Sequence, residues 1–240
     1  MRAFDDQTGL KRWARLSCSG EGTQQPAFGH QVLLVADSGG DLAAYDPGTG
    51  EQVWCDDKSG SIISAPAVAD DTVFITDGGE AVALDQFTGR QHWRFTPNSP
   101  LANTPAAANG LVFVTGRNSV FALDGITGRK IWRHNFEPPA NISSVSAANG
   151  LVYVGGTALY ALSLFDGHPV WESKAAGVNV TTPAIAEGRV FVNSEDPNFG
   201  LFAFDATNGA PLWNNQMADE SEATVTVGNG VVTTLPTLVN

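Results

Sequence analysis

The sequence predicts an all-β fold: a six-bladed β-propeller of four-stranded antiparallel blades, closed by a blade shared between the N- and C-termini. Three observations predict it. One motif recurs six times and takes up every tryptophan in the 240 residues. Within each period, short apolar runs are separated by turn signals at strand-like spacing. Counted through the chain ends, the step from the last motif to the first is one more period.

The motif is clearest in four segments: Asp5-x-x-Thr8-Gly9-x-x-x-Trp13, Asp46-x-x-Thr49-Gly50-x-x-x-Trp54, Asp85-x-x-Thr88-Gly89-x-x-x-Trp93 and Asp124-x-x-Thr127-Gly128-x-x-x-Trp132. Ser163-x-x-Asp166-Gly167-x-x-x-Trp171 and Asp205-x-x-Asn208-Gly209-x-x-x-Trp213 are looser copies. An alanine (Ala3, Ala44, Ala83, Ala122, Ala161, Ala203) stands two residues before the first position of each copy. The tryptophans are 41, 39, 39, 39 and 42 residues apart, and the step from Trp213 round to Trp13 is 40.

One period contains four strands. In the clearest copy the first is Ala106-Ala107-Ala108, opened by Thr104-Pro105 and ended by the turn pair Asn109-Gly110. The second, Leu111-Val112-Phe113-Val114, is apolar at consecutive positions, as are Val73-Phe74-Ile75, Leu151-Val152-Tyr153-Val154 and Val190-Phe191-Val192. Such runs imply burial on both faces of a sheet. The third is Val120-Phe121-Ala122-Leu123, and the fourth, after the glycine turn, is Lys130-Ile131-Trp132-Arg133. Radially stacked blades cover both faces of every sheet.

Five blades are expected near 25–57, 65–96, 104–135, 144–174 and 182–215, with the sixth built from 221–240 and 1–17. The chain is thus read as a single domain, 1–240. Ala223 to Val227 and Val231 to Thr234 repeat the first two strands, whereas Arg2-Ala3-Phe4 repeats the third.

Composition narrows the function classes. Thirteen Lys and Arg against 25 Asp and Glu give a net charge of −12, which disfavours nucleic acid and anionic lipid as partners. No window carries the uninterrupted apolar run of a membrane span, and Asp5, Asp6, Lys11 and Arg12 interrupt the place of a signal peptide. The expectation is a cytoplasmic monomer, or a periplasmic or extracellular one if a leader precedes Met1. Cys18 and Cys55 are expected as free thiols, because their offset in the repeat is too long for a disulfide unless the linker folds back.

The motif resembles the bacterial repeats of pyrroloquinoline quinone dehydrogenases and their non-catalytic relatives. That resemblance covers the whole chain and implies a propeller in which each tryptophan docks between neighbouring blades. It does not carry quinoprotein chemistry across. Those dehydrogenases resemble an eight-bladed ring with long insertions, a vicinal cysteine pair, and a bound calcium beside an Asp base. This chain has six repeats and no adjacent cysteines, so no quinone, metal or other cofactor is expected. His30, His92, His134 and His168 fall at different phases of the repeat, without metal-ligand spacing. The acidic stretch Ser194-Glu195-Asp196-Pro197-Asn198 reads as a solvated turn.

Variable residues gather in the links from each outer strand to the next inner strand. Arg94, Arg133, His134 and Glu172 are the candidate catalytic groups, and Ile63, Phe95, Asn103, Phe136, Asn141, Asn179 and Asn214 the candidate ligand-binding ones. Apolar walls with a few convergent polar groups suit a small apolar molecule. The expected function is therefore a free-standing small-molecule-binding propeller acting as a cofactor-independent cyclase or isomerase on a secondary-metabolite intermediate. The alternative is a protein-interaction scaffold similar to outer-membrane assembly lipoproteins and sensor domains.

Overall fold

The computed structural model describes residues 1–16, 18, 26–37, 40–56, 64–196, 200–216, 224–228 and 230–235. The described residues form strands, turns and loops, and no helix among them is long and apolar enough to cross a membrane. The chain forms two compact units, Met1–Val114 with Leu123–Lys130, and Thr115–Ala122 with Ile131–Asn240.

The first unit opens with a two-stranded sheet, β1 (Arg2–Phe4) and β2 (Lys11–Ala14). A four-stranded sheet follows in the order β3 (Ala27–Phe28), β4 (Leu33–Ala36), β5 (Leu42–Tyr45) and β6 (Gln52–Asp56). The next runs β7 (Ala67–Ala69), β8 (Thr72–Asp77), β9 (Glu80–Asp85) and β10 (Gln91–Phe95). A further four-stranded sheet runs β11 (Ala106–Ala108), β12 (Leu111–Gly116), β13 (Ser119–Asp124) and β14 (Lys130–Asn135).

In the second unit, β15 (Val145–Ala148), β16 (Leu151–Val154), β17 (Leu159–Ser163) and β18 (Pro169–Ser173) form a four-stranded sheet. A five-stranded sheet follows, made of β19 (Val178–Val180), β20 (Ala184–Ala186), β21 (Arg189–Asp196), β22 (Gly200–Asp205) and β23 (Pro211–Gln216). The chain ends in the pair β24 (Thr224–Gly228) and β25 (Val231–Leu235). The strands assigned from sequence to one shared blade are thus two separate two-stranded sheets, β1–β2 and β24–β25.

The consecutive apolar runs are buried on both faces. Leu34, Ala36, Leu42 and Ala44 pack with Val73, Ile75, Val82 and Leu84 of the next sheet. The opposite face, Leu33, Val35, Ala43 and Tyr45, packs on Trp13 and Ala3 of the opening hairpin. In the second unit Val190, Val192, Phe202 and Phe204 meet Tyr153, Leu159 and Ala161, while Phe191, Leu201 and Ala203 meet Val225. Alternation of side chains along each strand sends successive apolar residues to opposite neighbours.

The tight turns between first and second strands take positive φ at both central residues, as at Asn109 (54°) and Gly110 (73°) or Asn149 (54°) and Gly150 (78°). That is the left-handed pair the right-twisted hairpin requires. Where strands three and four pair, the register slips by one residue beside the motif alanine, as at Ala44/Tyr45, Ala161/Leu162 and Ala203/Phe204.

Two expectations need correction. β19 is a strand the sequence reading missed: β21 runs eight residues and outlasts β20, so Val178 and Val180 pair with Asp196 and Ser194 on its remaining edge. For the same reason Ser194 to Asp196 lie in a strand and not in a solvated turn, while 197–199 fall outside the described residues.

Candidate functional site

The repeat motif builds joints, not a site. In each copy the first residue accepts the glycine N–H through its backbone carbonyl, as Asp85 does from Gly89 (2.9 Å) and Asp205 from Gly209 (2.9 Å). The Asp carboxylate also accepts from the turn: Asp124 takes the Thr127 N–H and hydroxyl, both at 2.8 Å. These bonds hold the Asp46, Asp85, Asp124 and Asp205 carboxyls below their ordinary range. The indole N–H groups of the first five motifs in turn donate to a carbonyl one residue beyond the next motif's first position. Trp13 reaches Pro47 (2.9 Å), Trp54 Gln86 (2.8 Å), Trp93 Gly125 (2.9 Å), Trp132 Leu164 (3.0 Å) and Trp171 Ala206 (3.1 Å).

The candidate catalytic groups are held in structural pairs. On β10, Arg94 reaches Glu80 at 2.5 Å and Asp77 at 2.8 Å. Glu80 also accepts from Thr96, which together with Arg94 keeps its carboxyl low. In the second unit the Arg133 guanidinium sits 5.0 Å from the Phe121 ring centroid, a cation–π contact. His134 meets Phe136 edge-on at 4.6 Å, and Phe136 meets Tyr160 at 4.7 Å. Burial pushes the His134 imidazole toward its neutral form. Glu172 lies opposite Tyr160 in the β17–β18 register and pairs with Lys174 at 3.3 Å.

Of the residues read as ligand-binding, Phe136 is buried and caps a packed link. Its N–H donates to the Asn118 carbonyl (2.9 Å), and the Asn118 side chain accepts from the Ala140 N–H (2.8 Å). Asn118 organises this link and was not singled out in the sequence; its only signal there is its place in the polar loop between two apolar strands. Asn141 is exposed at a positive φ of 47°, in that link. Asn103 lends its backbone carbonyl to the Thr76 hydroxyl (3.4 Å), and Phe95 lies half-buried opposite Ala81. Asn214 is exposed on β23 opposite Phe202, Asn179 belongs to β19, and Ile63 lies outside the described residues. Phe136 thus lies between His134 and Tyr160, and Glu172 stands opposite Tyr160 in the sheet.

A further correction concerns the cysteines. Cys18 and Cys55 form a disulfide, with Cα atoms 6.3 Å apart. Cys18 lies beside β6 and not on a straight extension of β2, which removes the distance that such an extension would impose.

A concave apolar surface lies elsewhere in the first unit, beside β1. It is a groove of about 430 Å³ lined by Phe4, Trp13, Pro26, Phe28, Leu33 and Val35, among others. Phe4 is 57% exposed and Phe28 72%. Arg2, Ala3 and Phe4 of β1 belong to its lining, and among the described residues β1 pairs with β2 alone.

Blades of this construction, joined by indole-on-turn contacts, define the class of β-propeller repeat proteins with PQQ-like repeats. The chain belongs to the family described as outer membrane protein assembly factor BamB, whose profile it matches over residues 1–79, 59–148 and 116–235. No curated protein matches it. Among solved structures it is similar to BamB from Moraxella catarrhalis, at 18% identity and a TM-score of 0.73, covering 98% of this chain and 73% of that one. It is similar to the computationally designed Ika8 protein at 16% identity and a TM-score of 0.80, covering 95% and 71%. The quinohemoprotein alcohol dehydrogenase ADHIIG from Pseudomonas putida HK5 is similar at 16% identity and a TM-score of 0.64, covering 82% of this chain and 42% of that one.

Proposed function

We propose that the chain is a protein-interaction propeller that serves the assembly of other proteins by adding an extended partner segment to the free edge of β1. The observation that carries this reading is that β1, which pairs only with β2 among the described residues, lines an apolar groove exposing Phe4 and Phe28. Backbone groups on such an edge supply affinity, and alternate side chains entering the groove supply selectivity. The family's description, an assembly factor for outer membrane proteins, supports partners rich in alternating strands. The expected cyclase or isomerase activity on a small apolar molecule gains no support, because Arg94 is tied to Asp77 and Glu80, and His134 is packed on Phe136. The disulfide favours an oxidising compartment over the cytoplasmic expectation.

A second reading has its own support. A six-bladed ring closed by the chain ends would seat β25 on that same edge of β1. By the repeat, Thr233 would oppose Ala3, as Phe74 opposes Ala83 and Tyr153 opposes Ala161.

The test places a photo-crosslinking residue at Phe28 in cells and, separately, builds the Ala3→Cys/Thr233→Cys variant. A discrete protein adduct from position 28, absent when the crosslinker sits at the exposed Ile126, supports partner docking at this edge. Spontaneous formation of the 3–233 disulfide within a monomer assigns the edge to the chain itself. That result, or the lack of any adduct, overturns docking there.

A further inference from the structure

We propose that Cys18, Cys55 and Asp41 form a zinc site that opens when the Cys18–Cys55 bond is reduced, so that disulfide and metal are exclusive states of one locus. The three residues come from separate segments. Cys18 follows β2, Cys55 lies on β6 opposite Ala43, and Asp41 precedes β5 two residues before Ala43, which puts it on the same sheet face as Cys55. The two sulfurs and a carboxylate oxygen of Asp41 all lie within 4.8 Å of one another.

The surroundings favour a cation once the thiols are free. Asp41 is only 8% exposed and Asp37, beside it, 1%. Tyr45, 2% exposed and on the same face, makes no hydrogen bond of normal geometry through its hydroxyl among the described residues, although that group faces the Cys18 backbone. Two thiolates added to this acidic pocket would repel the carboxylates, and a divalent ion removes that repulsion. Two sulfurs with one carboxylate are a donor set zinc accepts, and the open fourth position takes water. Tetrahedral coordination needs the sulfurs about 3.8 Å apart. A Cα separation of 6.3 Å permits this once the bond is cut and the side chains rotate.

The chemistry balances with a dithiol reductant. It gives two electrons and two protons to the Sγ–Sγ bond and leaves as its own cyclic disulfide. Zinc binding then expels two thiol protons to solvent.

The test reduces the whole chain anaerobically, removes the reductant and titrates Co²⁺ and then Zn²⁺. The reduced protein is expected to bind about one metal per chain, with a thiolate-to-cobalt charge-transfer band and tetrahedral visible bands, while the oxidised protein binds none. Cys55→Ser should abolish the band, and Asp41→Asn should weaken binding by about tenfold or more. Metal should also slow alkylation of both cysteines in the unmutated chain, a readout that does not depend on any variant folding. A reduced chain without the thiolate band, or an Asp41→Asn protein that binds as tightly as the parent, overturns the proposal.

Discussion

Trp171 packs its indole against Gly209 so closely that a Cβ on that glycine would stand 2.5 Å from the ring atom Cε3. The same contact recurs between Trp13 and Gly50, Trp54 and Gly89, Trp93 and Gly128, and Trp132 and Gly167. The motif glycine therefore serves two purposes: it takes the left-handed φ of the turn, and its bare Cα face seats a tryptophan of the preceding sheet.

The two purposes can be separated by mutation. Gly188 has the same φ as Gly209, +71°, but open space where its Cβ would go. Gly188→Ala is expected to cost about 1 kcal/mol from backbone strain alone. Gly209→Ala adds the clash with Trp171, for a total of about 2–4 kcal/mol. Urea unfolding of both variants measures the difference; equal losses would show that the indole yields without cost.

Trp132→Phe removes the indole N–H and leaves the Leu164 carbonyl without that donor, at an expected cost of about 1–3 kcal/mol. Trp213 is 42% exposed, and the turn of Gly9 has nothing within 4 Å of a would-be Cβ. Trp213→Phe is accordingly expected to change stability by less than about 0.5 kcal/mol. A loss as large as that of Trp132→Phe would mean that the sixth joint is made in solution, which supports the closed ring.

The motif carboxylates set an acid limit. Asp85, Asp124 and Asp205 are each held low first by the hydroxyl of the turn threonine (Thr88, Thr127 and Thr207) and also by turn N–H groups. A depressed folded-state pKa contributes stability above the unfolded value of about 4, and that stability is lost as the pH falls through the folded value. The thermal midpoint is therefore expected to hold from neutral pH to about 5 and to fall steadily below about 4. In Asp124→Asn the acid side of that curve should be shallower, as scanning calorimetry across pH would record.

The disulfide closes a loop between residues 37 apart. Cys55→Ser is expected to lower the unfolding free energy by about 2–4 kcal/mol, mainly by freeing the unfolded chain. Chemical denaturation of the variant beside the reduced parent checks this; a loss confined to the variant would point to packing around Cys55 and not to the cross-link.

Much of the fold was legible because a propeller blade is local. The turn at Asn149-Gly150, the doubly buried strand Leu151 to Val154 and the joint at Trp171 are each written within a few residues, and the period repeats them. The links were not legible in this way. Phe95, Asn103 and Phe136 have the composition of a ligand-binding mouth, yet Phe136 is buried in packing organised by Asn118, a residue about half a repeat away in sequence. Nothing in a side chain's identity distinguishes an apolar residue that lines a cavity from one that fills it. Asn118 and Phe136 acquire their relationship only when the loop and the link are brought side by side.

The sequence by itself determined the strands that recur in each repeat, the tight turns and the indole joints of the first five motifs, since each follows from residue type, short-range spacing and alternation. Tertiary structure alone decided that Cys18 reaches Cys55, that Arg94 is bound by Asp77 and Glu80, and that an apolar groove lies along β1. Each of these depends on where an irregular segment folds back, or on which strand edge stays unpaired. Those outcomes are set by contacts between residues far apart in the chain, and no short-range pattern encodes them.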